Sequence, residues 1–409
     1  MQLTDRMMQE AMTEFRAASK EESEAILEED NEAKTKAKKR RDAAQDYLKH
    51  VRASRNRPKI IAMLGLACSL MQVEPDRLDA HPYLLNTPAG IVDLKTKEIL
   101  PHDPSKLCSK ITSCSPGSKG KTKWDEFLNT ICSEDEKMIN LLQQIAGMAS
   151  VGKVYEELLI MALGGGGNGK SALFNTLAAV LHEYAGTIAA EVLTTAGRSQ
   201  GAELTTLKGK RLIIAAETDE GARLSASMLK QIASTDKIHA ERKYKDPEDF
   251  TPSHTTVLYT NHAPRVGSTD NGTWRRLVLI PFQAKIKASK EVKNFSDVLL
   301  HEAGKAILSW IVEGAANYIA AGHKLALPDF VHMAIEEYQS QNDWMSEFLE
   351  EFCEEGQGQN VKARQLYQTY HGWAKDAHSY ARHMDSFTAE LEKKALKSGK
   401  PIRELSGMD

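Results

Sequence analysis

Four short apolar runs share the middle of the chain with helical stretches: LLIMAL (158–163), RLIIAA (211–216), TVLYTN (256–261) and RRLVLIPF (275–282). Each is strand length, and each is followed by polar or glycine-rich sequence. Buried strands alternating with helices predict an α/β sheet whose ligand sits at the strand C-terminal ends. On either side the period changes. Between Trp124 and Gly152, apolar Phe127, Leu128, Ile131, Ile139, Leu142, Ile145 and Met148 recur at helical spacing and predict core-facing helices. Ser296–Gly322 reads as another helix, and AGIVDLKTKEIL (89–100) as two short strands joined by a polar turn. In the tail, Leu366, Tyr367, Tyr370, Trp373, Phe387 and Leu391 predict the core of a small helical unit.

The first 57 residues are helical in pattern and carry charge in blocks. The acidic KEESEAILEED (20–30) precedes the basic KTKAKKRR (34–41), which predicts two helices with complementary faces, the alternative being a basic tract that touches nucleic-acid phosphates. At 409 residues there is room for two or three domains. A net charge of −3 gives no global field for nucleic acid, although a ring needs positive charge only along its channel. Five cysteines without C-x-x-C spacing suggest neither zinc nor a disulfide framework, and no apolar run reaches membrane-spanning length. A soluble intracellular protein is expected.

The chemistry begins at GGGGNGKS, Gly164–Ser171. A glycine loop between a buried strand and a helix brings successive backbone N–H groups to a β-phosphate at a helix N-terminus. Gly164, Gly166, Gly167, Asn168, Gly169, Lys170, Ser171 and Ala172 are the expected nucleotide-binding residues. Lys170 should reach the β- and γ-phosphates, and Ser171 should place its hydroxyl on Mg²⁺. The motif alone does not separate kinases, GTPases, packaging motors and helicases.

Metal-assisted hydrolysis needs a carboxylate at the end of a neighbouring strand, and KRLIIAAETDEG supplies Glu217, with Asp219 as the second candidate. Asn261 ends the next strand, where an amide can touch the lytic water or γ-phosphate, although Asn-His-Ala-Pro is also ordinary turn chemistry. Arg275 and Arg276 open the last strand, either as surface charges or as guanidinium groups for a neighbouring subunit's phosphates.

Together, GGGGNGKS, LIIAAETDEG, VLYTNHAPRV and TWRRLVLIPF resemble the superfamily 3 DNA helicases, closest to the helicase half of phage and plasmid primase-helicases and the poxvirus NTPase-primase. Upstream, HPYLLNTPAGIVDLKTKEILPHDP is similar to the family's helicase-proximal segment, with Ala89-Gly90 where an Asn-Gly pair is usual. The resemblance implies ATP and Mg²⁺ as cofactors and an AAA+-like core with a parallel sheet. It implies Lys170, Glu217 and Asn261 as catalytic, with Arg276 and its neighbour Arg275 as an arginine finger acting in trans in a homohexamer. It further implies three regions: a helical collar at 1–150, the ATPase at 151–325, and a helical, winged-helix-like unit at 326–409. A DNA-tracking hairpin should lie within Ser234–Thr256, with Arg242, Lys243, Tyr244 and Lys245 near its tip contacting single-stranded DNA through phosphate charge and base stacking.

The function so implied is a replicative helicase of a phage or mobile element, acting on single-stranded and forked DNA in a bacterial cytoplasm, with movement 3′ to 5′. No Asp-x-Asp motif is present, so primer synthesis is expected from a separate primase. A packaging motor or an origin-melting initiator is the alternative. A small-molecule kinase is disfavoured because no second substrate or lid motif is visible.

Overall fold

The computed structural model describes residues 2–27, 31–194, 200–241, 247–266, 271–286, 292–353, 361–376 and 381–397. The chain divides into two compact units, Met1–Arg77 and Leu78–Asp409. In the first, helices α1 (Gln2–Leu27), α2 (Asn31–Ser54) and α3 (Arg57–Leu70) follow one another. Ala11, Leu48 and Val51 form the small seam between α1 and α2. The opposed charge blocks meet as anticipated, with Arg41 paired to Glu22 at 3.2 Å and Arg40 paired to Glu21. Pro58 in the first turn of α3 fits the missing donor there.

The second unit opens with an antiparallel sheet, β1 (Leu84–Thr87), β2 (Gly90–Asp93) and β3 (Ile99–Leu100), one strand more than the sequence suggested. Helices α4 (Lys121–Cys132) and α5 (Glu136–Met148) follow. The centre contains β4 (Leu159–Leu163), α6 (Lys170–Leu181), β5 (Ala185–Ala189), α7 (Gln200–Leu204), β6 (Leu212–Ala216) and β7 (Arg223–Leu224). Then come α8 (Ala226–Ile232), β8 (Ile238–Ala240), β9 (Glu248–Phe250), β10 (Thr255–Thr260), β11 (Arg265–Val266), α9 (Asn271–Trp274) and β12 (Leu277–Pro281). Helices α10 (Phe295–Ala320), α11 (Asp329–Gln341), α12 (Trp344–Phe352), α13 (Ala363–Asp376) and α14 (Met384–Lys397) complete it.

Five strands form one parallel sheet in the order β12-β4-β10-β6-β5. Counted along the chain this is 5-1-4-3-2, so the glycine-loop strand β4 lies between β12 and β10, and all C-terminal ends lie on one side. Burial on both faces explains the unbroken apolar runs. Ile160, Ala162, Ile214, Val257 and Val278 face α5, α6 and α10, whereas Leu159, Met161, Ile213, Leu258 and Leu279 face the opposite layer with α8. On the first face α5 and α10 cross at glycines. A Cβ on Gly147 would lie 2.1 Å from the Gly314 carbonyl carbon, so no larger side chain fits between the backbones.

The boundaries expected at 150 and 325 do not coincide with this packing. Leu142 and Ile145 of α5 share a core with Phe174 of α6, and Tyr338 of α11 is buried with Leu277 and Leu279 of β12. The tail has its own core of Met345, Phe348, Leu366, Tyr370, Phe387 and Leu391, with Tyr367 and Trp373 packed against it. Among the described residues it contains three helices and no strand, so the expected wing is not formed there. The hairpin arms β8 and β9 pair antiparallel, Ile238 opposite Phe250, whereas Arg242, Lys243, Tyr244 and Lys245 lie outside the described residues. All five cysteines are free, and among the described residues no helix is long and apolar enough to cross a membrane.

One buried cation joins the β1–β3 sheet to the central sheet. Arg211, at the start of β6, is 3% exposed and donates 2.7 Å hydrogen bonds to the Ser150 and Leu84 carbonyls. Its guanidinium lies 4.6 Å from the Tyr184 ring centroid. Removing it would strand the buried Ser150 carbonyl and the half-buried Leu84 carbonyl and leave a void. Arg211→Ala is therefore expected to cost about 2–4 kcal/mol, read as a lower urea midpoint, with Arg211→Lys recovering only part because lysine lacks the planar fork whose two separate nitrogens reach the two carbonyls.

Candidate nucleotide site

Gly164 to Gly169 connect β4 to α6, and the loop is shaped by backbone rather than side chains. Gly166, Gly167 and Gly169 have φ of 91°, 60° and 82°, values that disfavour a side chain. Asn168 is 2% exposed and donates through Nδ2 to the Phe282 carbonyl at 3.2 Å, while the Ile286 N–H donates to Gly167 O at 2.9 Å. The loop is thereby tied to the exit of β12.

Lys170, only 6% exposed, lies among oxygens. Its Nζ donates to Asn261 Oδ1 at 2.6 Å, Gly164 O at 2.9 Å and Asn168 Oδ1 at 3.4 Å. Burial pulls its pKa below the ordinary lysine range, and the nearby Glu217 charge opposes that shift. An ammonium held by neutral acceptors beside a loop of N–H groups is suited to a polyanion.

Glu217 follows β6 and has φ of 55°, uncommon for a residue with a side chain. Its N–H donates to the Tyr259 carbonyl at 3.0 Å, tying the end of β6 to β10. Next to it, Thr218 Oγ1 lies 3.0 Å from Thr260 Oγ1 and donates to the His262 carbonyl at 3.0 Å. This pair of threonines fixes Glu217 relative to Asn261, and nothing in the sequence distinguishes it from ordinary polar strand ends.

A cavity of about 700 Å³ opens here, lined by Gly166–Ala172, Glu217 and Asn261. Its volume lies in the range of small-molecule sites. Asp219 is exposed and outside that lining, because buried Thr218 turns the chain away. Ser171 and Glu217 offer hard oxygen donors, a set that fits Mg²⁺ bound together with phosphate oxygens. Among the described residues no cluster of three or more His, Cys, Asp or Glu could hold a metal unaided.

The two arginines part company. Both lie before β12, at the N-terminal end of a strand whose other end abuts the glycine loop. Arg276 is buried, ion-paired to Glu157, and donates to the Gly272 carbonyl at 2.6 Å. Arg275 is exposed. Neither lines the cavity of its own chain.

Residues 5–133 match the family described as "D5 N terminal like", and residues 162–276 match a family of unknown function, DUF5906. A "Putative helicase" of Acanthamoeba polyphaga mimivirus is 25% identical over 356 residues, covering 77% of this chain and 37% of the viral protein. A "Putative primase" of African swine fever virus is 27% identical over 212 residues, 49% of this chain and 22% of that protein. A "Putative helicase" of Invertebrate iridescent virus 3 is 21% identical over 336 residues, 73% and 35% respectively. Among solved structures, the C-terminal region of NrS-1 is similar with a TM-score of 0.44 and 13% identity, over 70% of this chain and 68% of that one. The chain thus spans little more than a third of the mimivirus protein it matches. The two successive family matches and the viral relatives make this chain similar to proteins named as viral helicases and primases.

Proposed function

We propose that the chain is the motor of an ATP-dependent replicative DNA helicase, hydrolysing ATP to move on single-stranded DNA and displace the opposite strand. One observation carries the reading: Lys170 Nζ, 2.6 Å from Asn261 Oδ1, shares a cavity with Glu217 at the ends of three adjacent parallel strands. The helicase and primase names of the viral relatives support the choice among triphosphatases.

In this reading the glycine-loop N–H groups bind the β-phosphate, and Lys170 follows charge between the β- and γ-phosphates. Glu217 polarises the attacking water. Asn261 accepts from Lys170 through Oδ1, which leaves its amide N–H groups for the γ-phosphate or that water. Mg²⁺ would be held by Ser171 with support from Glu217 and would neutralise phosphate charge. Asp219 is a weaker metal candidate because it lies outside the cavity lining.

The trans arginine is reassigned. Arg276 is engaged within its own chain by Glu157, so the exposed Arg275 is the better group to reach a neighbour's phosphates. Such a contact is heterologous and closes into a ring, proposed as a hexamer. The paired arms β8 and β9 support a DNA-tracking hairpin, with single-stranded or forked DNA and a separate primase as proposed partners.

Lys170→Ala is expected to abolish ATP hydrolysis and unwinding of tailed duplexes. Glu217→Gln should retain ATP binding while hydrolysis falls by about 10²–10⁴-fold. Loss of ATP binding in Glu217→Gln would contradict its role as base. Unwinding that is absent in the wild type, with ATPase stimulated by DNA, would favour a packaging or origin-melting motor.

Mixing Lys170→Ala with Arg275→Ala should restore part of the ATPase, because some interfaces then carry both groups. Arg276→Ala should instead lower stability by leaving the half-buried Glu157 without its ion pair and the Gly272 carbonyl without its donor. Restoration by Arg276→Ala and not by Arg275→Ala would reverse this assignment.

A further inference from the structure

We infer that the nucleoside half of the bound triphosphate rests on a wall made by α4 and the start of α10, so that the D5 N-terminal-like region supplies part of the nucleotide site. The inference rests on the nucleotide reading above and extends it to the part of the ligand that the glycine loop does not touch.

The cavity continues past the loop. Lys123, Glu126, Phe127 and Thr130 line it, and their spacing of i, i+3, i+4 and i+7 makes them one stripe of α4. Across from them stand Ile286, Val292 and Phe295, with Asn294 and Ser296 at the helix start. The wall and the loop are in direct contact. A Cβ on Gly169 would lie 2.3 Å from Ile131 Cγ2 of α4 and 3.5 Å from Ile286 Cδ1. The loop therefore closes against both sides of the extension.

The lining is mixed in the way a nucleoside requires. Ile286, Val292 and the half-buried Phe295 offer apolar surface for a flat base. Phe295 is held in place by Phe127, ring centroids 5.6 Å apart in an edge contact. Lys123 is fixed above it, 6.0 Å from the ring centroid and bonded to Glu302 at 2.5 Å. Asn294 has φ of 52° and makes no side-chain cap on α10, so its amide is not consumed by the helix it precedes.

Glu126 carries only acceptors when ionised, and Thr130 Oγ1 already donates to the Glu126 carbonyl at 2.7 Å. Both groups therefore present lone pairs to the cavity. The ligand must bring the donors, which ribose hydroxyls and an exocyclic amino group do and inorganic polyphosphate does not.

The consequence is a division of labour. The DUF5906-matched segment holds the phosphates, and α4, inside the D5 N-terminal-like match, holds the nucleoside. Nucleotide occupancy then bridges the two regions within one chain.

The test compares ATP with inorganic tripolyphosphate by calorimetric titration of the full chain, in a Glu217→Gln background that suppresses turnover. Glu126→Ala with Thr130→Ala changes two exposed positions of α4, and Phe295→Ala provides a second variant. Each should weaken ATP about tenfold, the size of one or two lost hydrogen bonds or an apolar contact, and leave tripolyphosphate unchanged. Unchanged ATP affinity, or equal weakening of both ligands, would overturn the α4–α10 wall. Lys170→Ala should weaken both ligands, and if it weakens neither, the nucleotide reading itself fails, separately from the wall.

Discussion

A buried ammonium needs oxygen around it, and the centre of this protein is arranged to meet that need. Lys170 sits where β4 ends and α6 begins, and its three acceptors come from Gly164, Asn168 and Asn261. Two of them belong to its own loop, and the third ends the neighbouring strand. Parallel pairing of β4 with β10 sets that third distance, because Thr260 lies opposite Leu163 and Asn261 follows directly after β10. A one-residue slip would withdraw the amide and leave the cation short of a partner. Register and charge satisfaction are therefore one constraint.

The same logic places the acid. Glu217 comes directly after β6, which pairs with β10 on the side away from β4. Its left-handed backbone is held by the bond to Tyr259 and by Thr218 against Thr260. The cost of that conformation, about 1–3 kcal/mol for such residues, is offset by buried hydrogen bonds beside it. What results is an anchored backbone that keeps the Glu217 carboxylate within electrostatic reach of Lys170.

Beyond the sheet, the surrounding elements are not appendages. Helix α4 touches the glycine loop through Ile131, α5 crosses α10 at paired glycines, and Arg211 bonds the β1–β3 sheet to the central one. The α4 end of the region that matches the D5 N-terminal-like family thus shares a core with the strands of the central sheet. At the opposite end of the sheet, Glu157 takes Arg276 out of play and leaves Arg275 facing solvent.

The sequence alone determined the local units, because each is written in neighbouring residues. Unbroken apolar runs demand strands buried on both faces, glycines demand a positive-φ loop, and the block charges of α1 and α2 demand each other. The positions of Glu217 and Asn261 just after strands, and of Lys170 at the helix start after the glycine loop, were legible for that reason. Only the tertiary structure decided which of them meet. It separated Asp219 from the cavity by one inward-turning threonine, and it distinguished Arg276 from Arg275 by a glutamate more than a hundred residues upstream. It also gave the Lys123–Glu126–Phe127–Thr130 stripe of α4 a cavity to face, where the helical pattern marked Phe127 only as a core residue. Contacts of that kind depend on strand order and helix crossing, which no local pattern encodes.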